Sequence, residues 1–257
     1  MSKQSNTGSL YVHTEHQVAT IKFSHPKQNS FPRELLQKLT VAFEQLASNA
    51  EAHVILLKSD EAYAFCAGAS FDELLQLKTA QDGKHFFMGF ANLINAMRKC
   101  PQPIIGRIHG RAIGGGVGLV AACDYAFATD TASVKLSEIA IGIGPFVVSP
   151  AVSRKIGVAA LSELALTAHE WKNAYWAKEK GLYARVFDSP DKMDKEIELL
   201  TQKLASYSTQ GVSELKKALW KGTEHWDQLL EENAEISGRL VLSETTQKTL
   251  QSFKNRI

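Results

Sequence analysis

Apolar positions along the chain follow two periods, and the change from one to the other marks out the elements. Near the N-terminus Ala19, Ile21 and Phe23 alternate with polar residues, so 17–23 pairs with 11–13 as a predicted hairpin. The period then lengthens. Leu35, Leu39, Phe43 and Leu46 fall on one stripe, which predicts a helix over 33–48. A short apolar run over 54–58 predicts a buried strand, and Phe86, Phe90, Leu93, Ile94 and Met97 predict a second helix over 82–100. That aromatic stripe reads as core rather than as a cofactor box. Strands are expected over 103–108, 125–128 and 134–136, and a helix over 146–156 that Gly157 ends. Asn173 is placed to cap a helix stopping at Gly181, and Val186 with Phe187 suggest a last short strand. Helices are then expected over 191–206, 211–221, 226–242 and 244–253. Strand, strand and helix thus alternate through the first two-thirds, and the last third is helical. This pattern predicts an α/β core with an appended helical lobe.

Composition narrows the picture mainly by exclusion. A chain of 257 residues can bury a substantial core. A formal charge of +2 gives little electrostatic reason to expect nucleic acid as a partner. No apolar run approaches the roughly 20 residues that span a bilayer, so no membrane partner is expected. Residues 1–9 are polar, lack the apolar core of a signal peptide and read as a flexible tail. Cys66, Cys100 and Cys123 form no C-x-x-C pair, and free buried thiols suit a cytoplasmic location.

The candidate chemistry gathers at the glycines. Gly114, Gly115 and Gly116 stand between an apolar strand and a short apolar stretch of helical spacing. Glycines at such a junction allow unusual backbone angles and close approach by a ligand. The first helical turn leaves amides without intrahelical partners, which suits a phosphate or an oxyanion formed during a reaction. The alternative is a tight turn whose glycines serve packing. No Gly-Lys-Ser/Thr follows and G-x-G-x-x-G is not met, so neither nucleotide fingerprint applies. A second exposed backbone stretch is expected at 64–74, where Ser70 is placed to cap the following helix. Glu138 ends a short strand in an otherwise apolar or small segment. Buried, its pKa would rise into the range of a neutral-pH base; on the surface it would be an ordinary carboxylate. His109 reads as a core histidine, Asp124 as a structural helix end and Lys27 as an exposed cation. No histidine spacing matches a metal site, so no metal is expected.

Taken together, these stretches resemble the enoyl-CoA hydratase/isomerase (crotonase) superfamily. Phe65 to Glu73 is similar to its F-x-A-G-A-D-[LI]-x-E loop, and Gly110 through Gly116 to Asp124 is similar to its glycine-rich G-G-G…C-D segment. Ser137-Glu138, Gly142-Ile143 and Pro145 resemble its P-E-x-x-x-G-[IL]-x-P run, and Asn173-Ala174 to Leu182 a later helix and turn. The resemblance implies a spiral of β-β-α units over 10–190 and a helical trimerisation lobe over 191–257. It also implies an acyl-CoA thioester substrate, with no separate cofactor because coenzyme A is part of that substrate, and a homotrimer or hexamer. By position the thioester oxygen would be held by the amides of Ala69 and Gly115, with Glu138 as the acid/base. Ala67, Gly68, Gly114 and Phe146 would contact substrate, Lys27 is a further candidate for meeting an anionic ligand, and Phe253 with Lys254 matches a tail that contacts the nucleotide portion of coenzyme A.

Two departures from the family pattern bear on the reaction. Two-glutamate hydratases of this family carry their first glutamate where this chain has Gly118, and Ser70 stands where an aspartate is usual. A single glutamate suits moving a double bond, because one base takes a proton and returns it elsewhere. Ile143 to Phe146 also resembles single-glutamate isomerases. The G-G-G-V-G-L-V pattern, however, occurs in some hydratase-like members, so hydration and isomerisation both stay open. Whether Asp72 or Glu73 replaces the missing carboxylate stays open too. The alternatives are an acyl-CoA binder without activity and a hydrolase using Ser70, His109 and Asp124.

Overall fold

The computed structural model describes residues 8–62 and 64–254, with side chains through Ser252. Of the tail expected over 1–9, residues 1–7 and Phe253's side chain lie outside that description, and Ser9 opens the first strand.

The main sheet has six strands. β1 (Ser9–Glu15) and β2 (Val18–Ser24) form the antiparallel hairpin. β3 (Val54–Ser59), β4 (Ile104–Ile108), β6 (Tyr125–Thr129) and β9 (Arg185–Phe187) then add in parallel, giving the order β1-β2-β3-β4-β6-β9. Parallel neighbours need crossovers, and helices supply them. α1 (Arg33–Ala47) connects β2 to β3, and α3 (Ala80–Lys99) connects β3 to β4 after the single turn α2 (Phe71–Leu74). α4 (Gly115–Ala122) connects β4 to β6.

Three short strands, β5 (Ala112–Ile113), β7 (Ser133–Lys135) and β8 (Lys172–Asn173), form a second sheet in that order. Neither β5 nor β8 was expected from sequence, because two residues carry no periodicity. α5 (Ser149–Leu166), α6 (Ala174–Glu179), α7 (Pro190–Ala205), α8 (Thr209–Leu219), α9 (Trp226–Leu240) and α10 (Glu244–Lys254) complete the chain.

Side chains that alternate along the strands divide the core in two. Ile55, Leu57, Ile104 and Ile108 face the large cluster beneath α1, α3 and α4, whereas Val54, Ile105 and Phe127 meet Met193 and Ile197 of α7 on the opposite face. All of β4 is buried, as a central parallel strand covered on both faces should be. Arg107 of β4 also lies on the α7 side, where it donates to Asp194 from Nε and Nη2 at 2.5 and 2.8 Å.

Two sequence expectations need correcting. The helix predicted over 146–156 begins at Ser149 and, after a break at Gly157, continues to Leu166. Ser70 precedes α2 but makes no side-chain cap. α3 starts earlier than predicted because Thr79 and Asp82 form a capping box, with bonds of 3.1 Å in each direction. All three cysteines are free and buried. Among the described residues no helix is long and apolar enough to cross a membrane.

Candidate active site

Two main-chain stretches are clamped side by side. Cys66 N–H donates to Arg111 O at 3.1 Å and Ile113 N–H donates back to Cys66 O at 2.9 Å, so 66 pairs with 112. On the other flank Phe31 N–H donates to Gly68 O at 2.7 Å and Ser70 N–H donates to Phe31 O at 3.0 Å. Between them the Ala69 amide donates to no described residue. Ala69 and Gly115 are half-buried, whereas Gly68 and Gly114 are buried. A Cβ built on Gly68 would lie 3.4 Å from Gly115 N, so the two stretches are in contact.

Gly114 fixes the geometry of the second stretch. Its N–H donates to Lys135 O at 2.9 Å, and its φ of +52° turns the chain from β5 into α4. Few side chains tolerate that angle. Gly114 O accepts from Val117 and Gly118 at 2.9 and 3.2 Å. The Gly115 amide opens the helix and has no partner within it. The ring of Phe90 covers Gly115 so closely that a Cβ there would lie 2.2 Å from Cε1. Phe90 belongs to the aromatic stripe expected in the core. With Phe86 and Phe87 it is buried in the core, and its contact with the helix start is what ties it to the site.

The third component is Glu138, at the head of a short 3-10 turn, Ile139–Ile141. A Cβ on Gly114 would lie 2.7 Å from Glu138 Oε1, so the carboxylate rests on the glycine that introduces α4. The residue is half-buried overall, but Oε2 is buried and has no hydrogen-bond partner among the described residues. Burial disfavours the charged form and pushes the carboxyl up to about 7.

The other expected residues are held by contacts of their own. Ala67 N–H donates to Gln28 O at 3.1 Å, which holds the loop before Gly68. Phe146 is half-buried, with its ring over Gly144 and its carbonyl accepting from Asn233 Nδ2 at 3.0 Å. Lys27 is exposed and paired with Asp72, and Glu73 accepts from the Arg33 amide at 2.9 Å. Asp124 accepts from Ile104 N–H at 2.8 Å, Trp220 Nε1 at 2.7 Å and Lys216 Nζ at 2.9 Å, so it is a structural anchor. Among the described residues no group of three or more potential ligands could hold a metal ion.

The enoyl-CoA hydratase/isomerase family profile matches residues 13–257. The chain belongs to the enoyl-CoA hydratase/isomerase family. It is 33% identical over 220 residues to YngF of Bacillus subtilis, which carries the family's name, covering 83% of this chain and 81% of YngF. It is 26% identical over 211 residues to the peroxisomal Delta(3,5)-Delta(2,4)-dienoyl-CoA isomerase of Arabidopsis thaliana, covering 76% of this chain and 74% of the isomerase. The crystal structure of an enoyl-CoA hydratase from Bacillus halodurans superposes with a TM-score of 0.87 at 21% identity, covering 95% of this chain and 99% of that one. The spiral of β-β-α units expected from the sequence is therefore the crotonase fold.

Within this family member, one feature of the site had no sequence signal. Val148, just before α5, packs against Gly118, where a Cβ would lie 2.4 Å from Val148 Cγ1. The space beside position 118 is filled by an aliphatic side chain from 30 residues further along the chain.

Proposed function

We propose that this protein transfers a proton at the carbon α to an acyl-CoA thioester, with Glu138 as the base. The amides of Ala69 and Gly115 donate to the thioester oxygen as it gains negative charge. The observation that carries this reading is the Glu138 carboxylate: buried, partnerless at Oε2, pushed up to about 7, and resting on the glycine that leads α4. Structural carboxylates are satisfied, and one left unsatisfied near neutrality suits a general base. The N-terminal amides of a helix suit a developing oxyanion, and losing one such donor costs about 2.7–4 kcal/mol in other enzymes.

The net reaction we favour is double-bond isomerisation. Glu138 takes a proton from C2 of a 3-enoyl thioester, and the electron pair moves into the carbonyl to give a dienolate whose oxygen accepts the two amide bonds. The protonated carboxyl returns the proton to C4, leaving the double bond between C2 and C3. Hydration needs a second group to hold water, and Val148 fills the space beside Gly118. Asp72 and Glu73 are engaged with Lys27 and the Arg33 amide. Phe253 is assigned to the coenzyme portion on resemblance alone, and Lys27 is a substrate-binding candidate as an exposed cation. Assembly as a trimer or hexamer fits the exposed Val158, Leu166, Trp171 and Tyr175. The free thiols fit a cytoplasmic protein.

Turnover of 2-enoyl- and 3-enoyl-CoA substrates by the wild type and Glu138→Gln tests the reading. Conversion of 3-enoyl thioesters that the substitution abolishes is the expected result. Unchanged turnover removes Glu138 from the mechanism, and thioester binding with no turnover of any substrate would make the protein a binder.

A further inference from the structure

Oε2 of Glu138 has no hydrogen-bond partner among the described residues, and the backbone hydrogen bond that the carboxylate does receive comes from its own residue. Its aim depends on the backbone that carries it. That backbone is one compact turn: Ile141 and Ile143 N–H both donate to Glu138 O, at 3.1 and 3.0 Å, and Gly142 N–H donates to Ile139 O at 3.0 Å. Gly142 closes the turn in the left-handed region, at φ 85° and ψ 12°.

The far side of this turn is held by the C-terminal helix. Thr246 of α10 is fully buried, and its Oγ1 donates to Gly142 O at 3.2 Å. Thr246 Oγ1 in turn accepts from Ser243 Oγ at 2.8 Å, and Ser243 Oγ accepts from Thr246 N–H at 3.3 Å. The two hydroxyls thus form a directed chain, Ser243 to Thr246 to Gly142, that ends on the turn. There is no slack in the contact, because a Cβ on Gly142 would lie 2.4 Å from Thr246 Oγ1. A second tie, Asn233 Nδ2 to Phe146 O at 3.0 Å, grips the same segment from α9. Gln247 Nε2 donates to Val241 O at 2.7 Å and fixes α10 to the end of α9.

We propose that Thr246 is a positioning residue for the Glu138 base, acting through the Gly142 carbonyl across 104 residues of sequence. This rests on the reading of Glu138 as base. The proposed oxyanion donors, Ala69 and Gly115, stand on other elements. A loosened 138–142 turn therefore slows proton transfer and leaves thioester binding in place. Misplacing a reacting group by about 1 Å can cost on the order of 10²-fold.

The test uses butyryl-CoA in D2O as a probe that needs no knowledge of the natural acyl chain. A base that reaches C2 exchanges its protons for deuterium, one C–H broken and one C–D formed per cycle. Exchange rate is read by mass spectrometry and affinity by calorimetry. Thr246→Val keeps shape and removes the donor. It should slow exchange by about 10–100-fold with affinity within about threefold. Thr246→Ser keeps the hydroxyl and should stay within about threefold of wild type. Ser243→Ala, at an exposed position that spares the buried packing, should fall between them. Exchange at the wild-type rate in Thr246→Val, equal losses in the Val and Ser variants, or a parallel loss of affinity overturns the inference. If Thr246→Val does not fold, Ser243→Ala at the wild-type rate overturns it alone. Glu138→Gln separates the two levels. Exchange abolished there with Thr246→Val unaffected sinks only this inference, whereas exchange retained there, or absent from the wild type, sinks the base assignment itself.

Discussion

Two half-buried carboxylates in this molecule have opposite surroundings. Asp124 stands where β6 begins, and both its oxygens are engaged: Oδ1 by Trp220 Nε1, Oδ2 by the Ile104 amide and by Lys216 Nζ. Lys216 is itself buried and also donates to Met97 O and Gln102 O at 3.0 and 2.8 Å, so the group fastens α8 to the end of α3. Glu138 has a buried Oε2 with no partner among the described residues, and the turn beneath it is bonded through main chain and Thr246. A satisfied buried charge fixes one arrangement of the core, whereas an unsatisfied one is costly and persists where a function uses it. Position in the fold does not separate the two residues; hydrogen-bond accounting does.

That contrast predicts different losses on substitution. The largest effect is on rate. Glu138→Gln should lower turnover of a 3-enoyl-CoA substrate by about 10²–10⁴-fold, measured by steady-state kinetics, with the folded structure intact by circular dichroism. Asp124→Ala should do the reverse, leaving Lys216 buried without its carboxylate and costing about 3–5 kcal/mol in urea unfolding. If Asp124→Ala abolished turnover without loss of stability, the comparison would be wrong.

A smaller effect follows from the sign of the Glu138 shift. Its folded value, about 7, lies above the ordinary carboxylate value near 4.5. Between those pH values the folded state holds more protons than the unfolded one, so stability falls as pH rises through this window and levels off above it. Glu138→Gln cannot ionise. It should therefore be more stable than wild type by about 2–3 kcal/mol at pH 8, with no gain at pH 4. The smallest effect concerns the missing second carboxylate. Gly118→Ala should cost about 1–2 kcal/mol through its clash with Val148, and Gly118→Ala with Val148→Ala should recover part of it. An equal cost with and without the Val148 change would show that packing does not close this position.

The legibility of the molecule in its sequence follows the same division between local and distant causes. α1 and α3 were readable because their apolar stripes run for four turns or more, and the β2 alternation is clean. The glycine run and the 64–74 stretch stood out because glycine spacing is a local signal, but Gly68, Gly114 and Gly116 are buried rather than exposed. The two-residue strands β5 and β8 carry no period, so the second sheet was not readable. Gly157 was read as a stop, but its φ of +77° only breaks the helix, and the chain resumes it through Leu166. Nothing local distinguished a buried Glu138 from a surface one, particularly as its neighbour Ile139 is 51% exposed. The contacts of Val148 with Gly118 and of Thr246 with Gly142 come from distant segments and leave no trace in local spacing.

The pH dependence of deuterium entry at C2 of butyryl-CoA tests the central claim most directly, because it reads proton transfer by the base without requiring a net reaction. The rate should climb with pH to half its maximum at about 7 and then level, and the step should vanish in Glu138→Gln. A midpoint at the ordinary glutamate value of about 4.3, or an unchanged profile in Glu138→Gln, would contradict the account.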